Sequence, residues 1–276
     1  MIARLVGSEM CIRDRLYRPR INKFLLFFVI FLNINLKSSY KVMPKIRIYF
    51  EKKIVKDHKI LLDSKQIHYL KNVMRKRTGD SIIAFNSNYE WECKLDLNVE
   101  KSIIPVNLVR KKIILPDIWL CFALIKIKNM NNLVEKISEI GVKKIVPMFS
   151  EFSSRIQINI NRFKKISIEA VEQSDSLSLP EISHPVSLPE LLENWDNERI
   201  IFLCDEIGGN QILSAKKIIK EYKKFAIFIG PVGGWSFADR GHFKDKKTFK
   251  ISLGKNILKA DTAAIYSLSC VRALLE

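Results

Sequence analysis

From Pro116 onward the chain alternates short apolar runs with amphipathic ones, and this alternation narrows the possible folds more than any other feature. Strand candidates are residues 118–124, 144–149, 200–204, 226–229 and 249–253. Helix candidates between and after them are 131–140, 162–173, 211–224 and 262–275. In the first helix Leu133, Ile137 and Ile140 share a face, and Gly141 provides the stop. In the third, Ile212, Ala215, Ile219 and Tyr222 do the same. Strands separated by helices predict a largely parallel sheet flanked by helices, an α/β domain over 116–276. Residues 180–197 read as a loop-rich connection.

Ahead of Leu115-Pro116-Asp117 the pattern changes. Ile46, Ile48 and Phe50 alternate with polar neighbours, as a half-buried strand requires. Residues 81–85, 90–95 and 103–109 are further strands, with a turn at Asn86-Ser87-Asn88. One helix fits, over 68–75, closing near Gly79-Asp80. Several short strands with one helix predict a small β-barrel over 43–115.

Two of the later strands end abruptly in glycine. Phe225 to Ile229 runs into Gly230-Pro231-Val232-Gly233-Gly234, and Ile251-Ser252-Leu253 runs into Gly254. In open α/β sheets ligands bind at the carboxyl ends of strands, and glycine lets main chain approach them closely. The first loop lacks the Lys-Ser/Thr of a P-loop and the spacing of a dinucleotide fingerprint. Asp261 or Thr262 is a candidate cap for the last helix, whose leading amides would face the glycine loops.

Charge bears on the partner. Lys and Arg number 47 against 29 acids, a formal charge of +18, which favours a polyanion such as nucleic acid. Solvated lysine faces are a competing explanation. Cys11, Cys93, Cys121, Cys204 and Cys270 form no C-x-x-C pair and mostly sit in apolar runs, as free thiols of a reducing cytoplasm do. His58, His68, His184 and His242 are scattered without metal-ligand spacing, so no metal is expected. Residues 1–42 differ from the rest: an Arg-rich stretch precedes the apolar run 24–32, which is too short to span a bilayer. They are expected to be a non-native or disordered extension ahead of Met43, and no membrane partner is expected.

The ordered motifs resemble the ribosomal RNA small-subunit methyltransferase E family over about residues 46–275. Arg47-Ile48-Tyr49-Phe50 is similar to the family's opening strand. His68, Val73, Arg75, Gly79 and Asp80 match an H-x-x-x-x-V-x-R-x-x-x-G-D pattern. Lys126, Lys136, Glu139, Gly141, Val142 and Pro147 match the first helical unit of the catalytic domain. Glu169-Ala170, Glu172-Gln173-Ser174 and Pro180 match E-A-x-E-Q-S, and the glycine loops match G-P-E-G-G and L-G-x-R-I-L-R-x-E-T-A.

The resemblance implies a PUA-like RNA-binding β-barrel followed by a trefoil-knotted SPOUT α/β domain. It implies S-adenosylmethionine as cofactor, a homodimer, and methylation of uridine N3 in 16S rRNA of the small ribosomal subunit. For the cofactor it points to main chain around Leu203, Cys204, Asp205, Gly230, Gly233, Gly234, Leu253, Gly254, Ile257 and Leu258. Asn256, Lys259 and Asp261 are the catalytic candidates, with helix capping as the competing role for Asp261. Arg47, Arg75, Lys126 and Arg155 are the candidate RNA contacts, with plain solvation as the alternative. Val232 stands where the family has a glutamate, Ser176 where an arginine is usual, and Asn256 replaces an arginine. A knotted methyltransferase for another RNA and a non-catalytic RNA-binding relative are the competing readings.

Overall fold

The computed structural model describes residues 46–112 and 114–276. The expected extension 1–42, with its apolar run, lies outside the described residues. Residues 47–111 form a five-stranded sheet: β1 (Arg47–Tyr49), β2 (Ile60–Leu61), β3 (Ser81–Phe85), β4 (Tyr89–Asp96) and β5 (Ser102–Lys111). Its order is β1-β3-β4-β5-β2, with β1 parallel to β3 and the other pairs antiparallel. The end strands β1 and β2 do not pair with each other, so the barrel expected from the sequence is a curled half-barrel, left open between them. Ile82, Ala84, Cys93, Leu95 and Ile103 line its buried face with Leu70.

Leu70 comes from the helical segment between β2 and β3. This opens as α1 (Ser64–His68) and continues as a π-helical turn, Tyr69–Val73. Asp63 and Gln66 close a reciprocal capping box at its start. Its end is fixed by Arg75, which sits in the left-handed region at φ 53°.

The second sheet is parallel throughout. Its strands are β6 (Asp117–Ala123), β7 (Lys144–Phe149), β8 (Glu181–Ile182), β9 (Val186–Ser187), β10 (Ile200–Cys204), β11 (Asn210–Gln211), β12 (Lys224–Ile229) and β13 (Thr248–Ser252). The order is β11-β13-β10-β12-β6-β7-β8, with β9 also paired to β7. β10 and β12 are buried on both faces, so they read as unbroken apolar runs.

One face is covered by α2 (Ile127–Ile140), α3 (Ile160–Gln173), α5 (Lys216–Glu221) and α7 (Ala260–Leu275). The other is covered by α4 (Leu188–Glu193), Trp195 and Phe243, the last just past α6 (Phe237–Gly241). Residues 180–197, expected as loop, therefore hold two short strands and α4, which Ser187 caps through the Glu190 N–H. The expected helix 211–224 is broken into β11, a 3-10 turn (Ile212–Ala215) and α5. Ile212, Ala215 and Ile219 still face the core as the periodicity requires.

The break has a topological cause. β11 pairs with the outer edge of β13, while β10 pairs with its inner edge. The connection 205–209 must therefore step across β13, and the chain returns over the α7 face through the 3-10 turn and α5. Gly209 is pressed against the crossing point. A Cβ there would lie 2.8 Å from the Ile251 carbonyl carbon and 2.9 Å from the Ile251 nitrogen. Only glycine fits such an approach without moving main chain.

The two sheets are joined chiefly through α3. Phe85, Val171 and Leu177 form a small buried cluster, with Tyr49 and Leu179 against it. Arg47 is the polar centre of this junction, with 8% of its surface exposed. Its Nε donates to Glu90 Oε1 at 2.8 Å, NH1 to the Val171 carbonyl at 2.7 Å, and NH2 to the Ser176 carbonyl at 2.9 Å. Arg110 also pairs with Glu90. The Glu172 carboxylate accepts the Tyr49 N–H at 2.8 Å. Burial lifts the Glu172 carboxyl above its ordinary value, against the pull of that hydrogen bond.

Candidate functional site

The carboxyl ends of β10, β12 and β13 lie side by side and level. Cys204 is in register with Ile229 on one side and Ile251 on the other. Three loops therefore leave from one point: 205–209, 230–236 and 253–259. The first leads to the α7 face and the second to α6 and the opposite face, which opens a crevice between them.

The loop after β12 folds back over β10. The Trp235 indole N–H donates to the Cys204 carbonyl at 2.9 Å. A Cβ on Gly230 would stand 3.0 Å from that indole, and one on Gly233 would stand 3.2 Å from Phe152 Cβ. Gly234 turns with φ 76° and Gly254 with φ 121°, both left-handed. Gly233, Gly254, Asn256, Ile257 and Lys259 are exposed, and Leu253 and Leu258 are half-buried against the core.

Not every residue expected at the cofactor site can reach a ligand. Leu203 and Cys204 turn their side chains into the two opposite cores, and β10 is hydrogen-bonded along both edges. The Cys204 carbonyl is taken by Trp235. These two residues set the height of the crevice but do not line it. Burial pushes the Cys204 thiol up to about 12, so it stays protonated and unreactive.

Asp205 is also committed. Its side chain is 1% exposed and paired bidentately with Arg240, at 3.0 Å from Nε and 2.8 Å from NH2. Burial works against its charge, but Arg240 and the Ile207 N–H outweigh this and hold the carboxyl below its ordinary value. The Asp205 side chain is thereby turned to Arg240 and away from solvent. Glu206, Arg240, Trp235 and Gly209 were not among the expected site residues. The consecutive acids at the end of an apolar strand, and the Gly208-Gly209 pair, were the available signals.

In the loop after β13, Lys259 is the N-cap of α7 and makes no side-chain cap. Asp261 lies one residue further in, and its carboxylate accepts the Thr262 N–H at 3.0 Å. The expected cap is thus replaced by a carboxylate inside the first turn. The first-turn amides and the Lys259 ammonium are the positive groups at this end of α7, with the Asp261 carboxylate beside them.

The expected RNA contacts divide. Arg75, Lys126 and Arg155 are exposed, Lys126 at the N-cap of α2. Arg47 is a correction: its donors are directed inward at Glu90, Val171 and Ser176, and it joins the sheets instead of meeting phosphate. The carbonyl of Ser176 receives that guanidinium. Among the described residues no group of His, Cys, Asp and Glu could hold a metal ion, and no helix is long and apolar enough to cross a membrane.

Residues 114–272 match the family described as RNA methyltransferase domain, and residues 62–97 match the RNA methyltransferase PUA domain. A ribosomal RNA small subunit methyltransferase E of Rickettsia conorii is 30% identical over 234 residues, covering 83% of this chain and 95% of that protein. The chain belongs to the ribosomal RNA small subunit methyltransferase E family. A Synechocystis member is 25% identical, covering 90% of this chain and 84% of its own. Among solved structures, the family member of Neisseria gonorrhoeae, bound to S-adenosyl methionine, superposes with a TM-score of 0.72 at 19% identity, covering 83% of this chain and 98% of that one. A Legionella pneumophila methyltransferase solved with the same cofactor gives 0.69 at 23%, covering 83% and 97%. At these identities the two structures speak for the fold alone: a parallel α/β sheet domain preceded by a smaller sheet.

Proposed function

We propose that this protein methylates N3 of a uridine in 16S rRNA of the small ribosomal subunit, using S-adenosylmethionine. The observation that carries the reading is the crevice at the level ends of β10, β12 and β13, within a chain that belongs to this family. The site fits the cofactor. Gly230, Gly233, Gly234 and Gly254 expose main chain, and Leu253, Ile257 and Leu258 offer apolar surface for adenine and the methionine stem. When bound, the cofactor supplies an electrophilic methyl group.

The chain's own residues handle the uridine. Its N3 must lose or share a proton while negative charge grows on the uracil oxygens. Lys259 and the leading amides of α7 stabilise that charge, Asn256 holds the base or its phosphate, and Asp261 orients the first turn. Arg75, Lys126 and Arg155 hold RNA phosphates. The trefoil knot is supported by the wrapping of 205–221 around β13. A homodimer is supported by Ile207, Val232, Phe237 and Ile257, each more than three-quarters exposed on or just after the crevice loops. A substrate in the small ribosomal subunit supports a cytoplasmic location for the protein.

The test is methyl transfer from labelled S-adenosylmethionine to 30S subunits that lack uridine N3 methylation, with mass spectrometry to locate the label. A single N3-methyluridine in 16S rRNA is expected. Label on another RNA, or cofactor binding without transfer to any RNA, would sink the reading.

A further inference from the structure

The end of β10 carries two adjacent carboxylates, and the structure treats them differently. Asp205 is buried and bidentate to Arg240. Glu206 is 36% exposed in its side chain, and only Oε1 is held, by Arg240 NH2 at 2.9 Å. Among the described residues nothing donates to Oε2. Arg240 also donates to the Trp235 carbonyl, so one guanidinium ties the loop after β10 to the loop after β12. The Glu206 carboxylate occupies the space where a side chain at position 234 would begin; a Cβ on Gly234 would collide with it. The acid is thereby held beside the glycine loop of the crevice, with one oxygen fixed and one available.

We propose that Glu206 is the carboxylate that binds the ribose hydroxyls of the cofactor, with Arg240 as its positioning residue. This rests on the function proposed above. The open Oε2 of Glu206 has two lone pairs and can accept from both hydroxyls of a diol without needing a proton, and such charge-assisted bonds are strong. Asp205 cannot do this, because both of its oxygens are already engaged. The left-handed glycine at 234 serves the acid as much as the turn, since any larger residue would displace Oε1 from Arg240.

The experiment compares the full chain and Glu206→Gln by calorimetry with two ligands, S-adenosylhomocysteine and 5′-methylthioadenosine. The second keeps the ribose but lacks the amino-acid end. A loss of about tenfold or more, equal on both ligands, is expected, given the strength of hydrogen bonds to charged groups. Gly234→Ala should lose by a similar factor, with no further loss in the double variant. A loss confined to S-adenosylhomocysteine would assign Glu206 to the α-ammonium group and overturn the proposal. Unchanged affinity for both ligands would also overturn it. If the parent protein binds neither ligand, the functional reading itself fails.

Discussion

Replacing Gly209 by alanine tests the crossing of β13 directly. The new Cβ would sit 2.8 Å from the Ile251 carbonyl carbon, 2.9 Å from the Ile251 nitrogen and 2.9 Å from the Lys250 carbonyl carbon. All three are main-chain atoms of a strand held between β10 and β11, so no side chain can swing aside. Either β13 shifts or β11 leaves its edge. Overpacking of this kind costs about 1–3 kcal/mol. Losing the short β11 ladder adds about 0.5–1.5 kcal/mol per net hydrogen bond. A total of about 2–4 kcal/mol corresponds to a fall in melting temperature of roughly 5–15 °C for a domain of this size. Tryptophan fluorescence during thermal unfolding is the assay, because Trp195 and Trp235 are buried in the core on the α6 face. Gly241→Ala is the control: it closes α6, and a Cβ there meets nothing within 4 Å. It should melt within about 2 °C of the parent, as exposed substitutions usually do. If Gly209→Ala melts alongside this control, the close approach carries no weight and the argument from the crossing is wrong.

Arg47→Met should lower stability by about 2–4 kcal/mol in urea, toward the low end of breaking a buried pair because Arg110 still serves Glu90. An unchanged midpoint would return Arg47 to the surface role first expected of it. Asp117 is buried in part, yet hydrogen bonds from Arg199 and Lys143 hold it below its ordinary value of 3.8. The stability it contributes is complete above that value and lost as pH falls through the lower folded one, so Asp117→Asn should flatten the acid limb of the unfolding curve below about pH 4. Glu172 has the opposite sign, since its folded value lies above 4.5. Its favourable contribution is present below 4.5 and lost as pH rises through the folded value, so Glu172→Gln should be relatively more stable at pH 8 than at pH 4. Lys259→Ala should leave melting unchanged and S-adenosylhomocysteine binding intact while methyl transfer drops roughly 100-fold.

The strands of the second sheet were legible because burial on both faces leaves no polar residue to blur them, as in Ile200–Cys204. The glycine loops were legible for the same reason, as sharp ends to apolar runs. Three short helices carried start signals that the sequence reading missed: Asp63 with Gln66, Ser187 with Glu190, and Ser236 with Asp239. What local sequence could not reveal depends on distant partners. Nothing near Arg47 announces Glu90, 43 residues away, or the Val171 carbonyl, 124 away. The break in helix 211–224 depends on a strand that follows it, since Asn210 and Gln211 pair with Ile251 and Ser252. The division of labour between Asp205 and Glu206 rests on Arg240, whose position in space is set by α6.

The order in which the crevice is assembled follows from its topology. Its first wall ends at Cys204 and its last closes at Gly254 and the start of α7. During synthesis at about 5–20 residues per second, the stretch between them emerges over roughly 3–10 s. Throughout that interval the segment 205–221 has no β13 to lie against. A nascent chain can therefore complete its first sheet, residues 47–111, well before the crevice that would hold the methyl donor exists. On the ribosome the first sheet can be in place while the crevice is still unmade.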